Sequence, residues 1–370
     1  MLLGVPREVK VHEYRVGITP ASVVELVATG HQVLVETGAG ARINFTDTCY
    51  QQSGAEIVSS ADELFERADM IVKVKEPQPD ECRMLRPGQI LFAYLHLAPD
   101  PEQTRLLIES GASCIAYETI TDAEGHLPLL TPMSRIAGRV AVQEGAHHLC
   151  CPQGGRGLLM AGVPGVEPAR VLIIGGGVVG ENALRMALGM GARVTVLDKF
   201  EKRLRELRTR YGDSASYELS GKERIDQYLA WADLVIGAVL TPGGSAPKVV
   251  SRSQLTLVKK GAVLVDVAID QGGCFESSRP TTHANPTYME AGVVHYCVSN
   301  MPSSVALTST LALNLATLPY VQRLARDPVQ ALFEDEHLRN GLSIHGGQVT
   351  TEIIAREQGY HYVPALEALG

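Results

Sequence analysis

No stretch of this 370-residue chain gathers Lys and Arg alongside aromatic side chains, and its 33 basic and 41 acidic residues leave a formal net charge of -8. Nucleic acid is therefore not an expected partner. The opening residues MLLGVPREVK lack the basic start, long apolar run and small-residue cleavage site of a secretory signal, so the mature chain is expected to begin at Met1. Also missing is an apolar run of bilayer length, roughly 20 residues. The nearest, Val305 to Val321, is interrupted by Thr308, Ser309, Thr310, Asn314 and Thr317 and reads as a buried helix, so no membrane is expected. The seven cysteines form no CxxC pair, and an odd number without that spacing fits a reducing compartment, the cytoplasm, where thiols fill cores. Adjacent Cys150 and Cys151, close to His147 and His148, are expected to be inert, and no metal is expected. There is no short internal repeat and no low-complexity region.

What is present is a βα alternation. The length favours two domains. Apolar runs at 31–36, 70–74, 90–95, 113–118, 171–174, 193–197, 234–239 and 262–268 are continuous and rich in β-branched residues, as strands buried on both faces must be. Segments such as 20–30 and 62–68 read as crossover helices on parallel sheets. Ser134 is a plausible N-cap for the amphipathic run 135–149, and the glycine-rich stretch 154–168 reads as a turn or hairpin. After Val298 the strand pattern stops and helical sequence returns. The expected fold is α/β, two Rossmann-like doubly wound parallel-sheet domains. Residues 1–130 and 305–370 form a substrate domain, and residues 131–304 form a dinucleotide-binding domain inserted into it.

The strongest local signal is a GxGxxG in context. Gly175, Gly177 and Gly180 follow the strand VLII and open an apolar-periodic helix. The first glycine permits the tight turn, the second lets a pyrophosphate approach the backbone, and the third lets helix and strand pack closely. The helix N-terminus then offers unpaired N–H groups and a positive dipole end. Asp198 ends the next strand, where a carboxylate accepts from ribose hydroxyls and repels a 2′-phosphate, favouring NAD. Nearby Lys199, Lys202 and Arg203 keep NADP open.

Ligands of open α/β sheets gather outside the carboxyl ends of strands. Lys75, His96 and Asp270 each follow an apolar run, and Arg15 lies in the loop after the opening segment. An anionic substrate needs a guanidinium or ammonium, for which Arg15 and Lys75 serve. Hydride chemistry at a carbon bearing a heteroatom needs a proton acceptor and donor, for which His96 and Asp270 serve. In a regular strand Lys73 shares a face with Lys75, and spacing alone does not choose between them. Glu76, Tyr94, Glu118 and Asn300 are weaker candidates.

These residues in their settings resemble the L-alanine dehydrogenase family, related to the cofactor-binding portion of nicotinamide nucleotide transhydrogenase. The resemblance runs almost end to end and rests on GVPREVKVHEYRVGITP at 4–20, VKVKEP at 72–77, FAYLHLA at 92–98, TPMSRIAGRVAVQEGAHHL at 131–149, GGGVVGENALRMALGMGARVTVLD at 175–198 and DQGGCFESSRPTTHANPTY at 270–288. It implies NAD-dependent, reversible oxidative deamination of L-alanine to pyruvate and ammonia. It also implies that Arg15 and Lys75, rather than Lys73, bind the substrate carboxylate, and that His96 and Asp270 are the acid–base pair. The implied nucleotide-binding set is Ser134, Gly175, Gly177, Val178, Val179, Gly180, Asp198, Arg203, Ser220, Val239, Leu240, Val267, Ala268, Ile269, Asp270, Arg279, Val298, Ser299, Asn300 and Met301. A homohexamer is implied too. One departure is PSSVALTST after Met301, where the family usually carries a Gly-Ala pair; Arg135, often acidic in relatives, is a milder one. Two other readings stand beside this one: a transhydrogenase-type subunit that binds NAD without amino-acid chemistry, and a non-catalytic NAD-sensing or storage protein.

Overall fold

Short apolar runs flanked by turn residues become strands buried on both faces, and their order defines two sheets. The computed structural model describes residues 1–239 and 246–370, so Leu240 lies outside the described residues. These separate into two units, residues 1–133 with 305–370 and residues 134–304. Strands β1 (Leu2–Val5), β2 (Gln32–Glu36), β3 (Glu56–Val58), β4 (Met70–Val72), β5 (Ile90–Ala93) and β6 (Ser113–Ala116) belong to the first unit. The second holds β7 (Arg170–Ile174), β8 (Arg193–Asp198), β9 (Ser216–Leu219), β10 (Leu234–Gly237), β11 (Val263–Asp266), β12 (Thr287–Glu290) and β13 (Val293–Tyr296). Strands β14 (Leu342–His345) and β15 (Gln348–Val349) return to the first.

Each sheet contains the same doubly wound order. In the first it is β3-β2-β1-β4-β5-β6, all parallel, and in the second β9-β8-β7-β10-β11-β13, also parallel. The order reverses between β1 and β4 and between β7 and β10, which opens a crevice at the carboxyl ends of the strands. The helical expectation after Val298 is corrected at the far edge of the first sheet, where β14 pairs antiparallel with β6 and β15 with β14. On the second sheet β12 lies antiparallel on β13. The sequences of these edge strands, TYME, LSIH and QV, mix polar with apolar residues, so no continuous apolar run announces them.

Helices cover the sheets and are cut by local chemistry. Thr19 caps the helix Pro20–Ala28 by accepting from Ser22 N, with Pro20 in the first turn, where its missing N–H costs nothing. Ser134 is not an N-cap: the helix Thr131–His148 starts earlier, with Pro132 in its opening turn, and Ser134 sits inside it. The helical stretch Met301–Arg326, which contains the helix Ala306–Arg326, is apolar and long enough, by composition, to cross a membrane, yet only part of it is the buried helix expected. Its inner face buries Thr310, Asn314 and Thr317; Asn314 Oδ1 accepts from Thr19 N at 3.2 Å and its Nδ2 donates to Gly17 O at 2.7 Å. Leu307, Leu311 and Leu315 form an exposed stripe on the other side. In the segment 302–310, Ser303 donates to Asn300 O at 3.0 Å, and Thr310 accepts from Val16 N at 3.3 Å. All seven cysteines are free; Cys82, Cys114, Cys274 and Cys297 fill cores, whereas Cys150 and Cys151 are exposed and Cys49 is half-buried.

Candidate functional site

Four strands stop earlier than their apolar runs, and at three of them a carboxylate captures the next backbone amides. Beyond β4, Glu8 Oε1 accepts from Val74 N at 2.7 Å and Lys75 N at 3.3 Å. Beyond β5, Glu118 Oε1 accepts from Leu95 N at 3.2 Å and His96 N at 2.6 Å. Beyond β6 the chain turns at once into a 3-10 helix, Tyr117–Thr119, which carries that glutamate. Beyond β11, Asp266 accepts from Ala268 N at 3.0 Å, Cys274 N at 2.8 Å and Phe275 N at 3.2 Å, and so folds the loop bearing Asp270. Each capture turns extended backbone outward at the edge where ligands collect.

In the first unit this edge carries Arg15, Lys75 and His96. Arg15 is 2% exposed, and Glu13 grips its guanidinium with two charge-assisted bonds, Nε to Oε1 at 2.7 Å and Nη2 to Oε2 at 2.6 Å. Nη1 rests on Met133 Sδ at 3.2 Å, a weak acceptor. Burial works against the Arg15 charge, but Glu13 outweighs it and holds the pKa above its ordinary value. The two lysines have different fates. Lys73 is fully buried between Glu81 Oε1 at 2.6 Å and Glu8 Oε2 at 3.2 Å; burial opposes its charge and the two carboxylates restore it. The strand is already over at Lys73, so the shared face expected of Lys73 and Lys75 does not form. Lys75 is half-buried, its Nζ 3.3 Å from Glu76 Oε2. Glu76, also paired with Lys10, is pushed up by burial and pulled down further by Lys75 and Lys10, to about 2.

His96 holds a left-handed backbone at φ 49°, unusual for a side chain with a Cβ, and the Glu118 bond to its amide keeps it there. Its ring is exposed, stacks on Tyr94 with centroids 5.9 Å apart, and has Nδ1 3.8 Å from Glu118 Oε1. Tyr94 is itself fixed by donating to Leu129 O at 2.6 Å.

In the second unit the glycine turn has the shape of a nucleotide cradle. Gly175 has φ 102°, and a Cβ there would lie 2.5 Å from Ala238 O; a Cβ on Gly180 would lie 1.8 Å from Gly175 O. At Gly177 a Cβ would meet nothing within 4 Å, so the side-chain-free face is open to a phosphate. Gly177 caps the helix Val178–Gly189, which starts with Val178 and Val179. Asp198, the last residue of β8, accepts from Gly176 N at 2.7 Å and Phe200 N at 2.8 Å. Ser220 follows β9 and donates its amide to Asp198 O at 2.8 Å. Val239 follows β10, and Val267, Ala268, Ile269 and Asp270 form the 3-10 turn after β11. Val298, Ser299, Asn300 and Met301 follow β13, where Asn300 N donates to Asp270 Oδ1 at 3.2 Å. Three expected residues stand off the strand ends: Ser134 in its helix, Arg203 in the helix Glu201–Tyr211, and Arg279, exposed over the Tyr288 ring at 4.2 Å.

The residues that sequence reasoning passed over are the carboxylates Glu8, Glu13, Glu181 and Asp266. Asp266 left a signal, an acid inside an apolar run that must find donors when buried. Glu8 and Glu13 read as ordinary charges in a loop.

Comparison with known proteins gives this arrangement its relatives. The family model described as alanine dehydrogenase/PNT, N-terminal domain, matches residues 4–137, and the corresponding C-terminal domain matches residues 141–352. An alanine dehydrogenase of Halomonas elongata is 54% identical over 371 residues, covering 100% of both chains. That of Bacillus subtilis is 49% identical, covering 100% of this chain and 98% of its own. A solved L-alanine dehydrogenase structure is similar at a TM-score of 0.93 and 48% identity, over 96% of this chain and 99% of its own.

Proposed function

The chain belongs to the alanine dehydrogenase/PNT family, and from that premise we propose that it catalyses the NAD-dependent, reversible oxidative deamination of L-alanine. The balanced reaction is L-alanine, NAD⁺ and water to pyruvate, ammonium, NADH and a proton. The observation that carries the reading is the edge of the first sheet. A carboxylate-clamped guanidinium, an ammonium and an imidazole follow its strands there, matching the carboxylate and the amine of an amino acid.

The first unit is the substrate domain and the second the nucleotide domain. Bound at the Gly175–Gly180 turn, NAD supplies the hydride acceptor. Arg15 and Lys75 hold the substrate carboxylate; Glu13 fixes the guanidinium plane, and the thioether of Met133 is an acceptor that a carboxylate displaces readily. His96 takes the proton of the substrate ammonium and returns it to the departing amine. Asp270, steadied by the Asn300 amide, takes a proton from the water that adds to the imine carbon. Positioning and proton transfer are the protein's contribution. Asp198 would receive the ribose hydroxyls, and Ser134, Ser220, Val239, Arg279 and residues 267–270 and 298–301 would complete the nucleotide contacts, with Arg203 held beside them by its bond to Gly176 O. The compartment is the cytoplasm, consistent with seven free thiols. The assembly is a homohexamer, a reading supported by the exposed Leu307, Leu311 and Leu315 and tested by sedimentation for six times the chain mass.

Incubating the protein with NAD and L-alanine while following the reduced cofactor tests the activity. NADH formation is expected. Nucleotide binding without NADH would leave a nucleotide-binding subunit, and no binding at all would remove the dinucleotide reading.

A further inference from the structure

Glu181 stands in the first turn of the helix Val178–Gly189, directly after the third fingerprint glycine. A negative charge at a helix N-terminus has a ready electrostatic explanation. Its contacts point elsewhere. One carboxylate oxygen pairs with Arg203, and the other pairs with Arg210 and accepts from the Tyr211 hydroxyl at 3.0 Å. All three donors come from the helix Glu201–Tyr211, which follows the strand ending in Asp198. The Glu181 side chain is 15% exposed, so these pairs are partly shielded from solvent.

Arg203 is occupied at every nitrogen. Its Nε donates to Gly176 O at 2.6 Å, its Nη1 to Glu206 Oε2 at 3.0 Å and its Nη2 to Glu181. Gly176 N donates to Asp198 Oδ2 at 2.7 Å, so this guanidinium runs beside the carboxylate assigned to the ribose hydroxyls. An arginine in this position is what accommodates the 2′-phosphate of NADP in the Rossmann fold. Asp198 repels that phosphate, but one carboxylate beside Lys199, Lys202, Arg203 and Arg210 is a weak filter if those cations are available.

We propose that Glu181 is a specificity-determining residue for NAD over NADP, because it commits Arg203 and Arg210 to an internal carboxylate and so withholds the cationic seat that a 2′-phosphate requires. The inference rests on the nucleotide reading of this turn. Asp198 excludes by repulsion; Glu181 excludes by removing attraction, the two arms of specificity. A merely structural brace between the two helices would affect both nucleotides alike.

The test is calorimetric titration with adenosine 2′,5′-bisphosphate and with ADP as probes, alongside NAD. Glu181→Gln is expected to tighten binding of the 2′,5′-bisphosphate about tenfold, the order of one new charge-assisted phosphate contact, while ADP moves by less than about twofold. Adding Arg203→Gln and Arg210→Gln to that variant is expected to abolish the gain. An unchanged ratio of the two affinities, or a gain that persists without the arginines, overturns the proposal. Arg210→Gln alone supplies a check that does not depend on the Glu181 variant folding. Arg210 is already committed, so binding of the 2′,5′-bisphosphate is expected to move by less than about twofold; a loss of about tenfold overturns the proposal. If the unaltered protein binds neither ADP nor NAD, the nucleotide reading itself falls, an outcome distinct from either.

Discussion

His96, the proposed acid–base group, shows how little of a side chain's placement resides in the side chain itself. Its left-handed backbone is held by one bond from its own amide to Glu118, and its ring is set by stacking on a tyrosine that is itself anchored. Replacing His96 by alanine is expected to lower kcat/KM by about two to four orders of magnitude, the usual contribution of a positioned acid–base group. Glu118→Ala leaves the imidazole present but releases its backbone, so the expected result is a fall in kcat of about tenfold or more with KM nearly unchanged. An equal loss in KM would place Glu118 in substrate binding instead. Lys75, His96 and Asp270 stand out in the sequence because a polar residue after an apolar run is a conspicuous break, whereas Arg15 stands out only as a cation in the loop after the opening segment. Glu118 was visible only as a weak candidate, and Glu8 and Glu13 not at all, because a carboxylate that serves by accepting backbone amides has no fixed spacing from the residues it serves.

At the level of strands and helices, apolar runs located most of the parallel strands, and the glycine fingerprint located the turn after β7. The run at 262–268 misled at its end: Val267 and Ala268 are as apolar as the strand before them, yet Asp266 draws the Ala268 amide into a 3-10 turn. Hydropathy does not register that competition for an N–H. The close approach of two helices was equally hidden. Within the second unit Gly138 of the helix Thr131–His148 faces the helix Val178–Gly189 so closely that a Cβ would lie 2.2 Å from Val179 O. Gly138→Ala must therefore push backbone apart beside the nucleotide turn. The expected cost is about 1–3 kcal/mol of stability, read from the urea midpoint, together with weaker NAD binding. A variant with unchanged NAD affinity would show that the turn does not depend on this packing.

For the molecule as a whole, acid sensitivity follows from a buried ring outside the proposed chemistry. Burial, with a smaller contribution from His147, pushes the His148 imidazole from 6.5 down to about 4, where it packs against Tyr296. Between those values the unfolded chain binds a proton that the folded chain refuses, so unfolding is favoured. The stabilisation from a neutral His148 is thus complete above about pH 6.5, declines as the pH falls towards 4 and is lost below it. The effect is on the order of 2 kcal/mol. His148→Phe is expected to flatten that part of the decline in urea midpoint between pH 7 and pH 4.5, and parallel declines in the two proteins would remove His148 as its source. The pairing of β6 with β14 carries a different consequence, one of time. Strand β6 ends at Ala116 and its partner begins at Leu342, so a ribosome must add roughly 225 residues, about 10–45 s of synthesis, before that edge can close. Throughout that interval the nascent first sheet presents Cys114 and Ile115 on an open, apolar edge. The period of greatest exposure to aggregation therefore coincides with translation of the second unit, and slowing elongation there should lower the yield of folded protein more than slowing it elsewhere.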